Sequence, residues 1–314
     1  MPCCSKYRGT ARLDGKTAIV TGSNTGIGKC TVLDFVKRGA RVIMACRDMT
    51  KAEEAAREVR KQVEGVEGAG TVELVCLNLA SLASVRQCAQ ELLQKLERIH
   101  LLVNNAGIMA CPQGKTEDGF EMQFGVNHLG HFLFTCLLLP RIIRSAPARI
   151  VIVSSYAHEW GTMNFEDLNL EQSYTPWKAY CQSKLANVLF CKELGRMLQG
   201  TGVTTYSLHP GAVKTELQRH VDDMYFKGAA ILTRAFASMF FKTPEGGAQT
   251  SIYCSVDEKL ASETGLYYSD CRQKTPSSKA CDPEAAKKLW ELSVKMVGLG
   301  DWNPIIAGDN TQPS

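Results

Sequence analysis

Tyr180 and Lys184 are a pair whose types and spacing could move a proton. Positions i and i+4 of a helix share a face, so a phenol and an ammonium four positions apart would stand side by side. A phenol with an ordinary pKa of about 10 is a poor acid or base at neutral pH. A neighbouring ammonium stabilises the phenolate and pulls that value down. In that arrangement Tyr180 passes the proton, and Ser155 offers a hydroxyl to a carbonyl or alcohol oxygen. Alone, Tyr-x-x-x-Lys also describes a surface helix pair, so the elements that carry it decide its meaning.

Those elements follow from periodicity. Between Lys16 and Ser207, short apolar β-branched runs alternate with longer stretches of helical period, the pattern of repeated βαβ units and a parallel sheet. Strands are expected at Thr17–Val20, Arg41–Ala45, Val72–Leu77, Leu101–Asn104, Arg149–Val153, Val203–Leu208 and Leu266–Tyr268, nearly all apolar and covered on both faces. Helices are expected at Gly26–Arg38, Lys51–Gln62, Ser81–Leu96, Phe120–Ile143, Lys178–Leu198, Thr243–Ser255 and Asp282–Val297. The fold class is therefore α/β, a single Rossmann-type doubly wound parallel sheet of about seven strands with helices on both faces. In such a sheet the carboxyl ends of the strands rim the ligand crevice, where Ser155, Tyr180 and Lys184 fall.

The first strand runs into Thr21-Gly22-Ser23-Asn24-Thr25-Gly26-Ile27-Gly28 and then a helix. Glycines there allow positive φ, close approach of backbone to a pyrophosphate and tight helix-on-strand packing, while the helix N-terminus holds phosphates. An ordinary glycine-rich turn has the same composition; position at the first βα junction favours the dinucleotide reading. A carboxylate about 20 residues further on selects NAD, and Cys46 occupies that place. Arg47 follows it and Lys29 follows the last glycine, so two cations and no carboxylate predict NADP(H). The alternative is that both are solvated, with Asp48 as a partner.

Composition narrows the class. A net charge of +4 without Lys/Arg clusters excludes a nucleic-acid footprint. Thirteen scattered cysteines without a Cys-x-x-Cys pair argue against disulfides and metal, suit a reducing, cytoplasmic setting, and make Cys76, Cys136 and Cys254 small buried hydrophobes. No N-terminal stretch is apolar enough for a membrane span or signal core, while Cys3 and Cys4 beside Lys6, Arg8 and Arg12 could form an acylated basic tag. Residues 1–12 are read as a basic segment, 13–299 as one catalytic domain with a substrate loop at 213–243, and 300–314 as a flexible tail. Within that loop Ile231, Leu232, Phe236, Met239, Phe240 and Phe241 make an apolar helix-like stretch that would suit a hydrophobic substrate, a core or dimer helix, or peripheral membrane contact.

From Leu13 to Leu299 the chain resembles the short-chain dehydrogenase/reductase family, whose marks occur in order: Thr21-Gly22-x-x-x-Gly26-x-Gly28, Asn104-Asn105-Ala106-Gly107, Asn127, Ser155, Tyr180-x-x-x-Lys184 and Pro210-Gly211. The resemblance implies a catalytic tetrad of Asn127, Ser155, Tyr180 and Lys184. Asn127 would kink its helix and anchor a proton-relaying water, and Lys184 would also hold the ribose. It implies cofactor contacts from Gly22, Asn24, Thr25, Gly26, Ile27, Gly28 and Lys29, from Arg47, from Asn78 and Leu79, and from Asn105, Ala106 and Gly107. Pro210, Gly211, Val213 and Thr215 match the segment that contacts the carboxamide. Asn78 stands where the family often has Asp, and an amide can still accept the adenine amino group. His209 reads as a packed strand-end residue rather than an acid or base. The family's usual pairing of two helices implies a homodimer.

Within the family, Ala45-Cys46-Arg47-Asp48, His128-Leu129-Gly130-His131-Phe132, Ser154-Ser155-Tyr156-Ala157-His158, Ser183-Lys184-Leu185-Ala186-Asn187 and the run from Lys242 to Thr250 look like the retinol dehydrogenase branch. That resemblance implies interconversion of a lipophilic alcohol and its aldehyde, retinol/retinal or a similar lipid aldehyde. A broad carbonyl or steroid reductase is the alternative. A nucleotide-binding regulatory protein without catalysis is a third reading, against which the complete tetrad counts.

Overall fold

Apolar β-branched runs become strands wherever a following helix covers them. The computed structural model describes residues 6–213 and 241–300. Its parallel strands are β1 (Thr17–Thr21), β2 (Arg41–Cys46), β3 (Thr71–Cys76), β4 (Leu101–Asn104), β5 (Ala148–Val153), β6 (Val203–His209) and β7 (Leu266–Ser269), and β8 (Arg272–Lys274) pairs antiparallel with β7. Their spatial order is β3-β2-β1-β4-β5-β6-β7-β8, so the direction of winding reverses between β1 and β4.

Side chains alternate strictly across this sheet. Ile19, Ile43, Leu102 and Ile150 face the helices α3 (Leu82–Lys95), α4 (Gly130–Ile143), α5 (Pro176–Met197) and α7 (Pro283–Met296). Val20, Val42, Met44, Val103 and Val151 face α1 (Gly26–Lys37), α2 (Met49–Gln62) and α6 (Pro244–Val256). A sheet buried on both faces needs this two-sided apolar pattern, and it is the doubly wound fold that periodicity predicts.

Three differences have local causes. β8 is an added eighth strand: Arg272, Gln273 and Lys274 are exposed, and a two-residue turn with positive φ at Asp270 and Cys271 folds them back on β7. The expected helix from Phe120 is interrupted, because Met122–Phe124 widens into a π turn at Gly125–Leu129 before α4 begins. Cys76 is exposed rather than buried, because it ends β3 at the open edge of the sheet; Cys136 and Cys254 are buried as expected.

α5 is buried without a break from Ala179 to Cys191, since α7 lies across it. Trp290 packs 4.9 Å from Phe132 and 6.0 Å from Phe190, so this face of α5 is covered by α7 of the same chain. The stretch Met122–Ile143 is long and apolar enough to cross a membrane, yet it is 72% buried within the fold. Residues 6–12 lie against α1, where the Arg38 guanidinium donates to Gly9 O and Ala11 O. Cys3 and Cys4, Thr215, the apolar residues from Ile231 to Phe240 and the tail from Asp301 lie outside the described residues.

Candidate active site

The glycine turn is built by contact with β4. Gly22 and Gly26 have φ of 60° and 55°, a region costly for other residues. A Cβ on Gly22 would lie 2.7 Å from the Ala106 Cα, and one on Gly28 would lie 2.6 Å from Asn105 Nδ2. α1 starts at Gly26 with no side chain capping its first turn, which leaves backbone N–H groups for an anion. Beside it opens a cleft of about 270 Å³, lined by Gly22, Asn24, Thr25, Gly26, Ile27 and Gly28, and by Asn78, Leu79, Asn105, Ala106 and Gly107. A backbone cradle that any Cβ would fill, under an uncapped helix end, fits the diphosphate of a dinucleotide.

At the far end of the cleft the cations differ from expectation. Arg47 lines it and, among the described residues, joins no ion pair. Asp48 does not neutralise it: the Asp48 carboxylate accepts from Lys51 N at 3.0 Å and caps α2. Lys29 points elsewhere, its Nζ 2.6 Å from Glu58 of α2. The second cation on the cleft is Lys51, one helical turn after Arg47. The Asn78 amide is engaged on both sides, accepting from Ala80 N in its own loop and donating to Glu117 in the segment after β4.

At the other end, Gly107 brings the cleft against the proton-moving residues. A Cβ there would lie 3.3 Å from Asn127 Oδ1 and 3.4 Å from Lys184 Nζ. Asn127 stands in the π turn with every polar atom used: Nδ2 donates to Ile108 O and to Ser183 Oγ at 2.9 Å, and Oδ1 accepts from Ile108 N at 2.9 Å. It thereby ties the strand end of β4 to α5. α5 is capped by Thr175, whose hydroxyl accepts from Lys178 N. Lys184 Nζ donates to Val153 O at 3.2 Å and lies 5.7 Å from the Tyr180 ring centroid. Ser155, two residues beyond β5, has its hydroxyl close enough to the Tyr180 phenol to favour the phenolate.

Burial, however, opposes the expected downward shift of the phenol. Tyr180 and Lys184 are each only 3% exposed. Desolvation raises Tyr180 to about 12, against a lowering by the Ser155 hydrogen bond, and lowers Lys184 to about 8. In the free protein loss of water dominates the phenol, while the expected lowering belongs to the ammonium and an oxidised nicotinamide acting together.

Two residues to which spacing assigns no role of their own hold this end together. The Thr21 hydroxyl oxygen accepts from Asn105 N at 2.9 Å and Ala106 N at 3.0 Å, so its own proton turns to His131 Nε2 at 2.8 Å. His131 then carries its hydrogen on Nδ1 and donates to Asn127 O at 3.1 Å. Burial lowers the ring to about 4, which keeps it neutral.

Beyond β6, Gly211 has φ of 88° and its N–H donates to His209 Nδ1. Val213 is buried and pairs with Lys242, whose ammonium is held by Asp270 at 2.5 Å. His209 is wedged between the Tyr156 and Tyr267 rings and lowered to about 4 by burial, the packed role expected of it.

Residues 16–225 match the profile of the short chain dehydrogenase family. The chain belongs to that family. This short-chain dehydrogenase is 49% identical to human retinol dehydrogenase 14 over 91% of its length and 88% of the relative's. It is also 49% identical to human retinol dehydrogenase 13, over 92% and 86%. Among solved structures, an uncharacterized protein from Mycobacterium Paratuberculosis aligns with a TM-score of 0.72 at 36% identity, over 92% of this chain and 95% of that one. The RhlG protein of Pseudomonas aeruginosa, solved as an active-site complex with NADP, aligns at 0.64 and 25% identity, over 83% and 96%. This short-chain dehydrogenase is an oxidoreductase with a nicotinamide nucleotide site.

Proposed function

We propose that the chain uses NADP(H) to interconvert a lipophilic primary alcohol and its aldehyde, retinol and retinal or a similar lipid aldehyde. One observation carries the reading: Ser155 after β5, Tyr180 and Lys184 on α5, and Asn127 in the π turn converge where Gly107 ends the cleft. The backbone at the start of α1 would hold the diphosphate, and Arg47 with Lys51 would face a 2′-phosphate. Bound there, the nicotinamide supplies or removes the hydride.

The protein's own groups handle the oxygen and its proton. The Ser155 hydroxyl would hydrogen-bond the substrate oxygen and aim it at Tyr180. A phenol held near a pKa of about 12 keeps its proton at neutral pH, so Tyr180 is set to give it to an oxygen that gains negative charge. Lys184 then faces the phenolate left behind, and Asn127 keeps the strand end and α5 in register while this happens. That protonation state suits reduction. The retinol dehydrogenase names of relatives 47–50% identical over nine tenths of the chain support the substrate class.

Purified protein given NADPH or NADH with retinal, decanal and a panel of ketones and steroids tests the reading through nicotinamide absorbance. NADPH-dependent turnover of the aldehydes is expected. Tyr180→Phe should lower it by roughly 10²- to 10⁴-fold while leaving nucleotide binding intact. Full turnover in Tyr180→Phe would show the phenol to be a bystander. Ketones outrunning every aldehyde would favour the broad carbonyl reductase, and nucleotide binding without any turnover the regulatory protein.

A further inference from the structure

Large apolar side chains on the described surface are concentrated in one place. Tyr156, Trp160 and Trp177 are 55%, 59% and 44% exposed, and two other large hydrophobics, Met49 and Val66, reach 37% and 42%. The three rings form a row with Tyr180. Tyr156 meets Trp160 edge-on at 5.1 Å, Trp160 lies 6.0 Å from Trp177, and Trp177 lies 5.9 Å from the Tyr180 ring. One end of the row is therefore in solvent and the other is the buried phenol.

Both elements that present these rings are fixed. Tyr156–Trp160 is a single 3₁₀ turn that starts at Ser155, whose hydroxyl accepts from Ala157 N and whose carbonyl hydrogen-bonds His158 Nδ1 at 2.8 Å. Trp177 is in the first turn of α5, three residues before Tyr180 and so on the same face. Tyr156 also packs on His209 at 5.7 Å. None of the three rings lines the nucleotide cleft.

We propose that this row seats the apolar chain of the substrate, a long-chain or polyene primary alcohol or aldehyde whose oxygen lies at Ser155 and Tyr180 and whose chain runs over Trp177 to Trp160. The proposal rests on the reading that the site reacts with a carbonyl or alcohol. Exposed indole surface loses water when a chain lies on it, and each methylene buried is worth up to about fourfold in binding. A short aldehyde reaches Tyr180 yet leaves Trp160 bare, two ring spacings away. The row thus selects for length rather than for a head group. A membrane would also accept exposed Trp and Tyr, but continuity with a buried phenol serves a ligand that ends there, and Glu159 within the turn would repel an anionic surface.

The test compares kcat/KM for butanal and dodecanal with NADPH in wild type, Trp160→Ala and Trp160→Phe. The dodecanal-to-butanal ratio should fall about tenfold in Trp160→Ala and recover largely in Trp160→Phe. Retinol fluorescence, which brightens in apolar surroundings, reads binding without turnover, and Trp160→Ala and Trp177→Ala should each weaken it about tenfold. An unchanged ratio and an unchanged retinol affinity overturn the seat even in an active enzyme. Loss of binding to phosphatidylcholine vesicles with retinol affinity kept overturns it in favour of a membrane contact. Retinol binding that weakens in the Ala variants while no alcohol or aldehyde turns over supports the seat and sinks the proposed reaction instead.

Discussion

Lys184 keeps an amino group 3% exposed, with its pKa lowered by burial to about 8. Between about pH 8 and pH 10.5 the unfolded lysine binds a proton that the folded one has released, so stability rises with pH across that window. Below pH 8 the cost of the buried charge is fully present, on the order of 3 kcal/mol. Lys184→Met removes it without orphaning Val153 O, which still accepts from Asn187 Nδ2 at 3.3 Å. Urea unfolding at pH 7 should show an inactive protein more stable by roughly 2 kcal/mol, with the gain shrinking toward pH 10.5. A gain as large at pH 10.5 as at pH 7 would refute the buried-charge account. Tyr180, Lys184, Ser155 and Asn127 could be read from the chain because residue type and order both mark them. The direction of the phenol's shift could not, since it depends on how little water reaches α5. His131 was equally hidden as a positioning residue: its tautomer is set by Thr21, 110 positions away, and no local spacing reports that.

α7 shows how an element remote in sequence shapes the site. Pro283 and the Asp282 cap start it, with the Asp282 carboxylate accepting from Glu284 N and Ala285 N, and Arg86 of α3 holds Val297 O and Gly298 O just beyond its end. Its buried stripe of Ala286, Leu289, Trp290 and Ser293 lies over α4 and α5, with Ser293 Oγ 2.9 Å from His128 Nε2. Trp290→Ala leaves a cavity between Phe132 and Phe190 and should cost about 3–5 kcal/mol in urea unfolding. Because it uncovers aromatic surface on α4 and α5, light scattering should also show the variant associating further than wild type does. A variant unchanged in both measurements would mean that α7 merely rests on α5. Periodicity predicts this helix to within a residue or two at each end, as it does the parallel strands, because burial imposes the period. β8 escapes the same reading, since Arg-Gln-Lys has no apolar alternation and becomes a strand only by pairing with β7. The π turn escapes it too, because one extra residue in a helical turn barely disturbs the apolar spacing.

Across the whole molecule, the reversal of strand order between β1 and β4 gathers loops from distant segments around one cleft. The glycine turn after β1, Arg47 after β2, Asn78 after β3 and Asn105 after β4 all line it. A nucleotide that touches every one of these loops binds the folded chain alone, and at 100 times its Kd it stabilises by about 2.7 kcal/mol. At about 2 °C per kcal/mol for a chain of this size, NADPH should raise the thermal midpoint by roughly 5 °C. NADH at the same concentration should raise it less, because Arg47 and Lys51 find no 2′-phosphate. Removing both cations in Arg47→Ala/Lys51→Ala should erase the difference between the two nucleotides without abolishing either shift. Lys29→Ala should leave the difference in place, because that ammonium is already paired with Glu58. If Lys29→Ala erased the NADPH advantage and Lys51→Ala did not, the phosphate would lie over the start of α1 rather than at the start of α2. Should both nucleotides shift the midpoint equally in wild type, the cleft would be blind to the 2′ position.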